Sequence, residues 1–197
     1  MSKITDMTKT HNWSGQKLVS IEHMLFEAPR TKHFMTGSEV LKEAVKRATV
    51  DASDSYPIKP QSVAAHLIGE LRAEGYVGVY FRGENELGVM SEVAGCSMSG
   101  ARTITTTSGP GTLRAMENFA QWSGTRAAMQ LVLMARGINS PISFQPDNLE
   151  VQYLLETGCM IWYAENVQEL FDMSLAAFTV AEQPDVHVPI ITAVDGL

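Results

Sequence analysis

The stretch "RTITTTSGPGTLRAMENF" (102–119) carries a Thr-rich run into an amphipathic one through Ser108-Gly109-Pro110-Gly111. "TITTT" (103–107) reads as a strand, because β-branched side chains suit a pleated surface better than a helix. "TLRAMENFAQW" (112–122) reads as a helix with Leu113, Met116, Phe119 and Ala120 on one face. The glycines between them carry no side chain, so backbone amides and the Ser108 hydroxyl can approach a ligand closely. As a dinucleotide fingerprint the stretch is poor. Gly109 and Gly111 fit the first two glycines of G-x-G-x-x-G, but Arg114 stands at the third. No Gly-Lys-Ser/Thr follows, so it is not a P-loop. The loop is either a plain helix entry or a backbone cradle for another class of ligand.

Outward from this stretch the same alternation repeats. "GSEVLKEAVKRA" (37–48) has Val40, Leu41, Ala44, Val45 and Ala48 at helical spacing. "VGVYF" (77–81), "MQLVLM" (129–134), "CMIWY" (159–163) and "VPIITAV" (188–194) read as strands. "NELGVMSEVAGCSMSGA" (85–101) reads as a helix of small residues. "PDNLEVQYLLETG" (146–158) predicts a helix with Asp147 at its cap, Glu150 three residues on and Gly158 as its stop. "NVQELFDMSLAAFTVAE" (166–182) predicts another, with Asn166 at the cap and Glu169 three on. Strands alternating with helices imply an α/β fold, doubly wound, with a mainly parallel sheet and helices on both faces. The domain is expected over 35–197. Residues 1–34 are polar with scattered Trp13, Leu18, Ile21, Met24, Leu25 and Phe26, and read as an arm, lying on the domain or a partner or partly ordered.

Composition excludes several classes. The 197 residues, 45% hydrophobic and 19% charged, suffice for one sizeable core. A net charge of −7 gives no footprint for nucleic acid. No apolar run reaches the roughly 18 residues of a membrane span, and the N-terminus lacks a signal-peptide core, so a cytoplasmic protein is expected. Cys96 and Cys159 read as buried reduced thiols, and two thiols cannot alone supply a four-cysteine cluster. His11, His23, His33, His66 and His187 have no metal-ligand spacing, so no metal site is expected in this chain.

Ligands of such folds bind where strands end and helices begin. "DSYPIKPQS" (54–62) is stiffened by Pro57 and Pro60 and would present Ile58 and Lys59 at a fixed place; an ordinary helix entry with Pro60 in the first turn reads equally well. "FRGENELG" (81–88) puts Glu84 and Glu86 at a helix start, where the helix dipole alone favours acids. Glu86 is followed by Leu87, Gly88, Val89 and Met90, which predict an apolar setting where a carboxyl group can share a proton with a ligand. Arg136, just past the apolar strand in "LVLMARGINSP", would meet the same crevice, and its fork suits a carboxylate; a surface Arg is the plainer alternative.

Together these loops resemble one family, the 2-oxoacid:ferredoxin oxidoreductases. "YPIKPQS" is similar to its YPITPS motif, and "GENELGVMSEVAGCSMSGARTITTTSGPG" to its E-x-E…GAR-T-x-T-x-T-S-G-P-G segment. "MARGINSP", "ETGCMIWYAENVQEL" and "VPIITAVDG" fit the same pattern, so the resemblance covers about residues 35–197. It implies the thiamine diphosphate-binding fold, in the pyrimidine-type domain of an alpha subunit. Glu86 is then the catalytic acid at the pyrimidine N1′, with Glu84 the runner-up. Ser108, Gly109, Pro110 and Gly111 are then the floor under the ring. Ile58, Lys59 and Arg136 are then at the substrate, with Arg136 on its carboxylate. The resemblance also implies a beta-type partner holding the diphosphate and Mg²⁺, an iron–sulfur ferredoxin-like subunit, a gamma-type subunit, and a 2-oxoacid with coenzyme A as acyl acceptor. The family carries Thr where this chain has Lys59, and an ammonium there suits a more anionic substrate. Family alpha chains continue past the "DG" at 195–196, so this chain is expected to be a short subunit or a piece of a longer one.

The reading is a subunit of a thiamine diphosphate-dependent 2-oxoacid oxidoreductase, catalysing oxidative decarboxylation. A short subunit of a non-oxidative thiamine decarboxylase, and a non-catalytic structural subunit of the same fold, are the alternatives.

Overall fold

A computed structural model describes residues 32–138 and 141–196. The arm expected over 1–34 lies almost wholly outside them. Six strands form one sheet: β1 (Ala52–Ser55), β2 (Val79–Arg82), β3 (Thr103–Thr107), β4 (Gln130–Ala135), β5 (Met160–Ala164) and β6 (Ile190–Asp195). Seven helices alternate with them: α1 (Gly37–Ala48), α2 (Ser62–Ala73), α3 (Glu86–Met98), α4 (Gly109–Arg114), α5 (Met116–Gly124), α6 (Leu149–Leu154) and α7 (Val167–Ala181).

Every pairing is parallel, in the order β2-β1-β3-β4-β6-β5. The chain leaves β1 for β2 on one side, then crosses to β3 on the other, so the order reverses between β1 and β3. Such a switch point opens a crevice at the carboxyl ends of the strands. Right-handed crossovers put helices on opposite faces according to the direction of travel. Accordingly α1 packs on α2 and α7, while α3 packs on α4 and α5, and α4 on α6.

The central strand β4 shows why both faces are apolar. Val132 and Met134 join a core with Leu41, Ile68, Leu71, Leu170 and Phe178. Leu131 and Leu133 face the other way, into Met90, Phe119, Trp122, Val151 and Leu154. A strand covered on both sides reads as a continuous apolar run for this reason.

At the amino edge of the sheet, Arg102 fastens three elements. Its Nε and Nη2 donate to Glu182 Oε1 and Oε2 at 2.5 and 2.6 Å, beyond the end of α7. Its Nη1 donates to the Ala48 carbonyl at the end of α1 and to Thr49 Oγ1.

Several local expectations need correction. The helix expected over 112–122 starts at Gly109 and breaks at Ala115, whose φ of −106° and ψ of 17° separate α4 from α5; Ala120 is exposed. Pro60 lies before α2 rather than in its first turn. Asn148, not Asp147, is the cap residue of α6, although Asp147 Oδ1 still accepts from the Leu149 N–H. Leu87 is exposed, and both cysteines are half-buried rather than buried. Asn166 caps α7 as expected, accepting from the Glu169 N–H at 3.0 Å.

Candidate functional site

The loops after β1, β2, β3 and β4, four adjacent strands, open on one edge. At the end of β2 the Gly83 N–H donates to Asp54 Oδ1 on β1 at 3.0 Å. Asn85, fully extended, then caps α3 by accepting from the Gly88 N–H at 2.9 Å. This makes Glu86 the first helical residue and turns it inward, 6% exposed. Glu84, two residues earlier, is exposed. Among the described residues the cation paired with Glu86 is Arg114, with Nε 3.7 Å from Oε2 and a largely exposed side chain.

At the end of β3, Ser108 stands at the cap position of α4, so Gly109-Pro110-Gly111 forms a helical first turn rather than an irregular loop. Pro is favoured there because its missing N–H has no partner to lose. The glycines are required by what touches them. A Cβ on Gly111 would lie 2.6 Å from Thr107 Oγ1 and 2.9 Å from Glu86 Oε1; one on Gly109 would lie 2.9 Å from the Arg136 carbonyl and 3.0 Å from its Cγ. The hydroxyls of Thr107, Ser108 and Thr112 are buried without a hydrogen-bond partner. Buried polar groups are nearly always paired, so an unpaired group needs an explanation.

At the end of β4, Arg136 is 7% exposed. Its Nη1 donates to the Lys59 carbonyl at 3.1 Å, and its guanidinium lies over the Phe144 ring at 5.1 Å. Its Nε is buried and unpaired. The β1 loop therefore meets Arg136 through the Lys59 backbone, while the Lys59 side chain is exposed and Ile58 is half-buried. Gln61 pins this loop. It is fully buried, its Nε2 bonds Thr106 Oγ1 on β3, and its Oε1 accepts from the Ile58 N–H.

Two acids near this edge were not singled out from sequence. Glu150 is completely buried and accepts from the Arg136 N–H at 2.9 Å; burial pushes its carboxyl group above the usual range. Position 150 lies one turn before the buried Leu154, a periodicity that could have found it. Asp54 on β1 is also completely buried. Its burial, helped by the neighbouring carboxyl group of Glu92, pushes it up to about 7.

Residues 43–197 match the family model described as pyruvate flavodoxin/ferredoxin oxidoreductase, thiamine diphosphate-binding. The chain belongs to this family. Its relatives include pyruvate synthase subunit PorA of Methanocaldococcus jannaschii, 31% identical over 82% of this chain and 42% of the relative. The alpha subunit of NADH-dependent phenylglyoxylate dehydrogenase of Aromatoleum evansii is 32% identical over 86% of this chain and 42% of the relative. Ketoisovalerate oxidoreductase subunit VorA of Pyrococcus abyssi is 34% identical over 81% and 41%. The chain thus spans about two fifths of the length of these curated relatives. Among solved structures, the 2-oxoglutarate:ferredoxin oxidoreductase from Magnetococcus marinus superposes with a TM-score of 0.69 at 23% identity, over 82% of this chain and 29% of that one. That likeness shows the fold, as does the benzoylformate decarboxylase from Polynucleobacter necessarius, with a TM-score of 0.64 at 13% identity over 82% and 30%. Among the described residues no helix is long and apolar enough to cross a membrane, and no cluster of His, Cys, Asp and Glu could hold a metal ion.

Proposed function

We propose that this chain is the pyrimidine-binding part of a thiamine diphosphate-dependent 2-oxoacid oxidoreductase. The observation that carries the reading is the pairing of a buried carboxyl group, Glu86, with a helical turn stripped of side chains at Gly109 and Gly111. The residues fit an aminopyrimidine. The turn offers backbone bare of side chains at Gly109 and Gly111, Glu86 offers a carboxyl group, and Thr107, Ser108 and Thr112 bring unpaired hydroxyls. When bound, thiamine diphosphate would supply the electron sink for decarboxylation.

Each residue then has a task. Glu86 would hold the ring nitrogen N1′ through a shared proton, and the cofactor so held would supply its exocyclic nitrogen as a base. Ser108, Gly109, Pro110 and Gly111 would hold the ring. Arg136 takes the 2-oxoacid carboxylate, its fork oriented by the Lys59 carbonyl and the Phe144 ring. Ile58 packs beside the substrate, and the Lys59 ammonium adds positive charge at the mouth. The diphosphate with its Mg²⁺, the iron–sulfur clusters and the coenzyme A site belong to partner subunits of beta, gamma and ferredoxin-like types. Cytoplasmic location follows from that reading.

The test is the purified native complex, assayed with a panel of 2-oxoacids and a redox dye. Substrate-dependent dye reduction that requires thiamine diphosphate is expected. Decarboxylation without reduction would replace the reading by a non-oxidative decarboxylase, and no turnover of any kind would end it.

A further inference from the structure

Glu150 is a buried acid to which the proposed chemistry gives no task. Its position on α6 shares an apolar face with Val151 and Leu154. Burying a carboxyl group there costs stability, and the cost is incomplete in its return, since Oε2 has no hydrogen-bond partner. Sequences depart from the most stable choice at functional positions.

What the acid touches shows its use. Oε1 accepts from the Arg136 N–H at 2.9 Å. Gly109 and Arg136 are themselves in contact, since a Cβ on Gly109 would lie 2.9 Å from the Arg136 carbonyl. The carboxyl group on α6 therefore holds the backbone where β4 ends, and that backbone abuts the start of α4. The Arg136 amide lies just past the end of β4, where the strand no longer supplies a partner.

We infer that Glu150 is a positioning residue that clasps Arg136 to Gly109, fixing the substrate's carboxylate site against the floor that carries the cofactor ring. The inference rests on the functional reading above for the identity of the two ligands. The clasp itself rests on geometry alone. A misplacement of about 1 Å between such groups can cost ~10²-fold in rate. Glu150 touches neither ligand, so its effect is on how well they are held relative to one another.

The test uses the native complex with E150A, E150Q and E150D. Backbone hydrogen exchange is read over 107–112 and 134–138, together with thiamine diphosphate affinity by fluorescence titration and the KM for the 2-oxoacid. E150A is expected to raise exchange in both segments and to raise Kd and KM together, each by about 10-fold. E150Q keeps the accepting oxygen and puts its NH₂ where Oε2 has no partner, so it should restore exchange and both constants. E150D withdraws the acceptor by one methylene and should resemble E150A; it decides the matter if E150A does not assemble. Unchanged exchange in either segment, changes confined to α6, or a failure of E150Q to rescue would overturn the clasp. A wild-type complex that binds no thiamine diphosphate would instead overturn the functional reading, and the exchange data would still decide the clasp.

Discussion

Gly111 leaves the space that Glu86 occupies: a Cβ on Gly111 would lie 2.9 Å from both Cγ and Oε1 of Glu86. Backbone on α4 and a carboxyl group on α3 are thus fitted to each other, with Thr107 Oγ1 on the third side. Gly111→Ala should displace Glu86 or the turn, at about 1–3 kcal/mol of overpacking. The expected result is a lowered Tm and a loss of turnover larger than the stability change explains. Normal turnover in Gly111→Ala would show that the contact is not needed.

Glu86→Gln should remove most turnover and leave the fold intact. Loss of a positioned acid–base group is worth on the order of 10² to 10⁴ in rate. Far-UV circular dichroism checks the fold and steady-state kinetics the rate. Glu84→Gln, at an exposed position, is the matched control and should be near wild type.

Arg136→Ala should raise KM for every 2-oxoacid. A charge-assisted hydrogen bond contributes roughly 1.5–3 kcal/mol, so a loss of about 10- to 100-fold in kcat/KM is expected. Lys59→Thr is the informative partner. Its carbonyl contact to Arg136 survives the substitution, so only the exposed ammonium is lost. A larger effect on dianionic than on neutral-tailed substrates would show that Lys59 reads the distal charge. An equal effect on all would place it on the shared carboxylate, and no effect on any would remove it from the substrate site.

Asp54 makes stability depend on pH. Its carboxyl group, buried beside Glu92, is pushed up to about 7 from the ordinary 3.8. A raised acid pKa means the folded state holds a proton that the unfolded state has released. The stabilisation is therefore complete below about pH 4 and is lost as pH rises towards 7, at about 1.4 kcal/mol per unit. Asp54→Asn keeps an oxygen for the Gly83 N–H and never ionises. The mutant should be more stable than wild type at pH 8, with a smaller difference at pH 5, by urea denaturation. Parallel curves for the two would refute this.

Arg102→Ala should cost about 2–3 kcal/mol, because charge-assisted bonds to Glu182 and the Ala48 carbonyl are lost together. A double-mutant cycle with Glu182→Ala should return a coupling well above the ~1 kcal/mol of an exposed pair. Turnover per folded molecule should not change.

The fold was legible wherever burial follows the strand or helix period. β4 shows apolar side chains to both faces, so its composition declared a covered strand. β1 did not, because Ala52–Ser55 is buried without being apolar. Its polar groups are only partly satisfied in space: Asp54 Oδ1 by the Gly83 N–H, with Oδ2 unpaired, and Ser55 Oγ by the Tyr80 hydroxyl at 2.6 Å. The break at Ala115 was hidden because Leu113 and Met116 continue a helical spacing across it. Glu86 stood out as an acid entering an apolar run. Glu150 did not, since an acid three residues after Asp147 has the same spacing as a cap, and only the fold shows Arg136 behind it.

The Arg102 fastening lies at the opposite end of the strands from every candidate residue. The two edges of the sheet lie a strand's length apart, so the loops at the carboxyl edge can be exchanged without disturbing what locks α1 and α7 together. The domain is therefore a suitable chassis for grafting. Loops 56–61 and 136–148 taken from relatives with other 2-oxoacid preferences should be accepted as units, provided Gln61 travels with the first and the acid at 150 stays behind to receive the second.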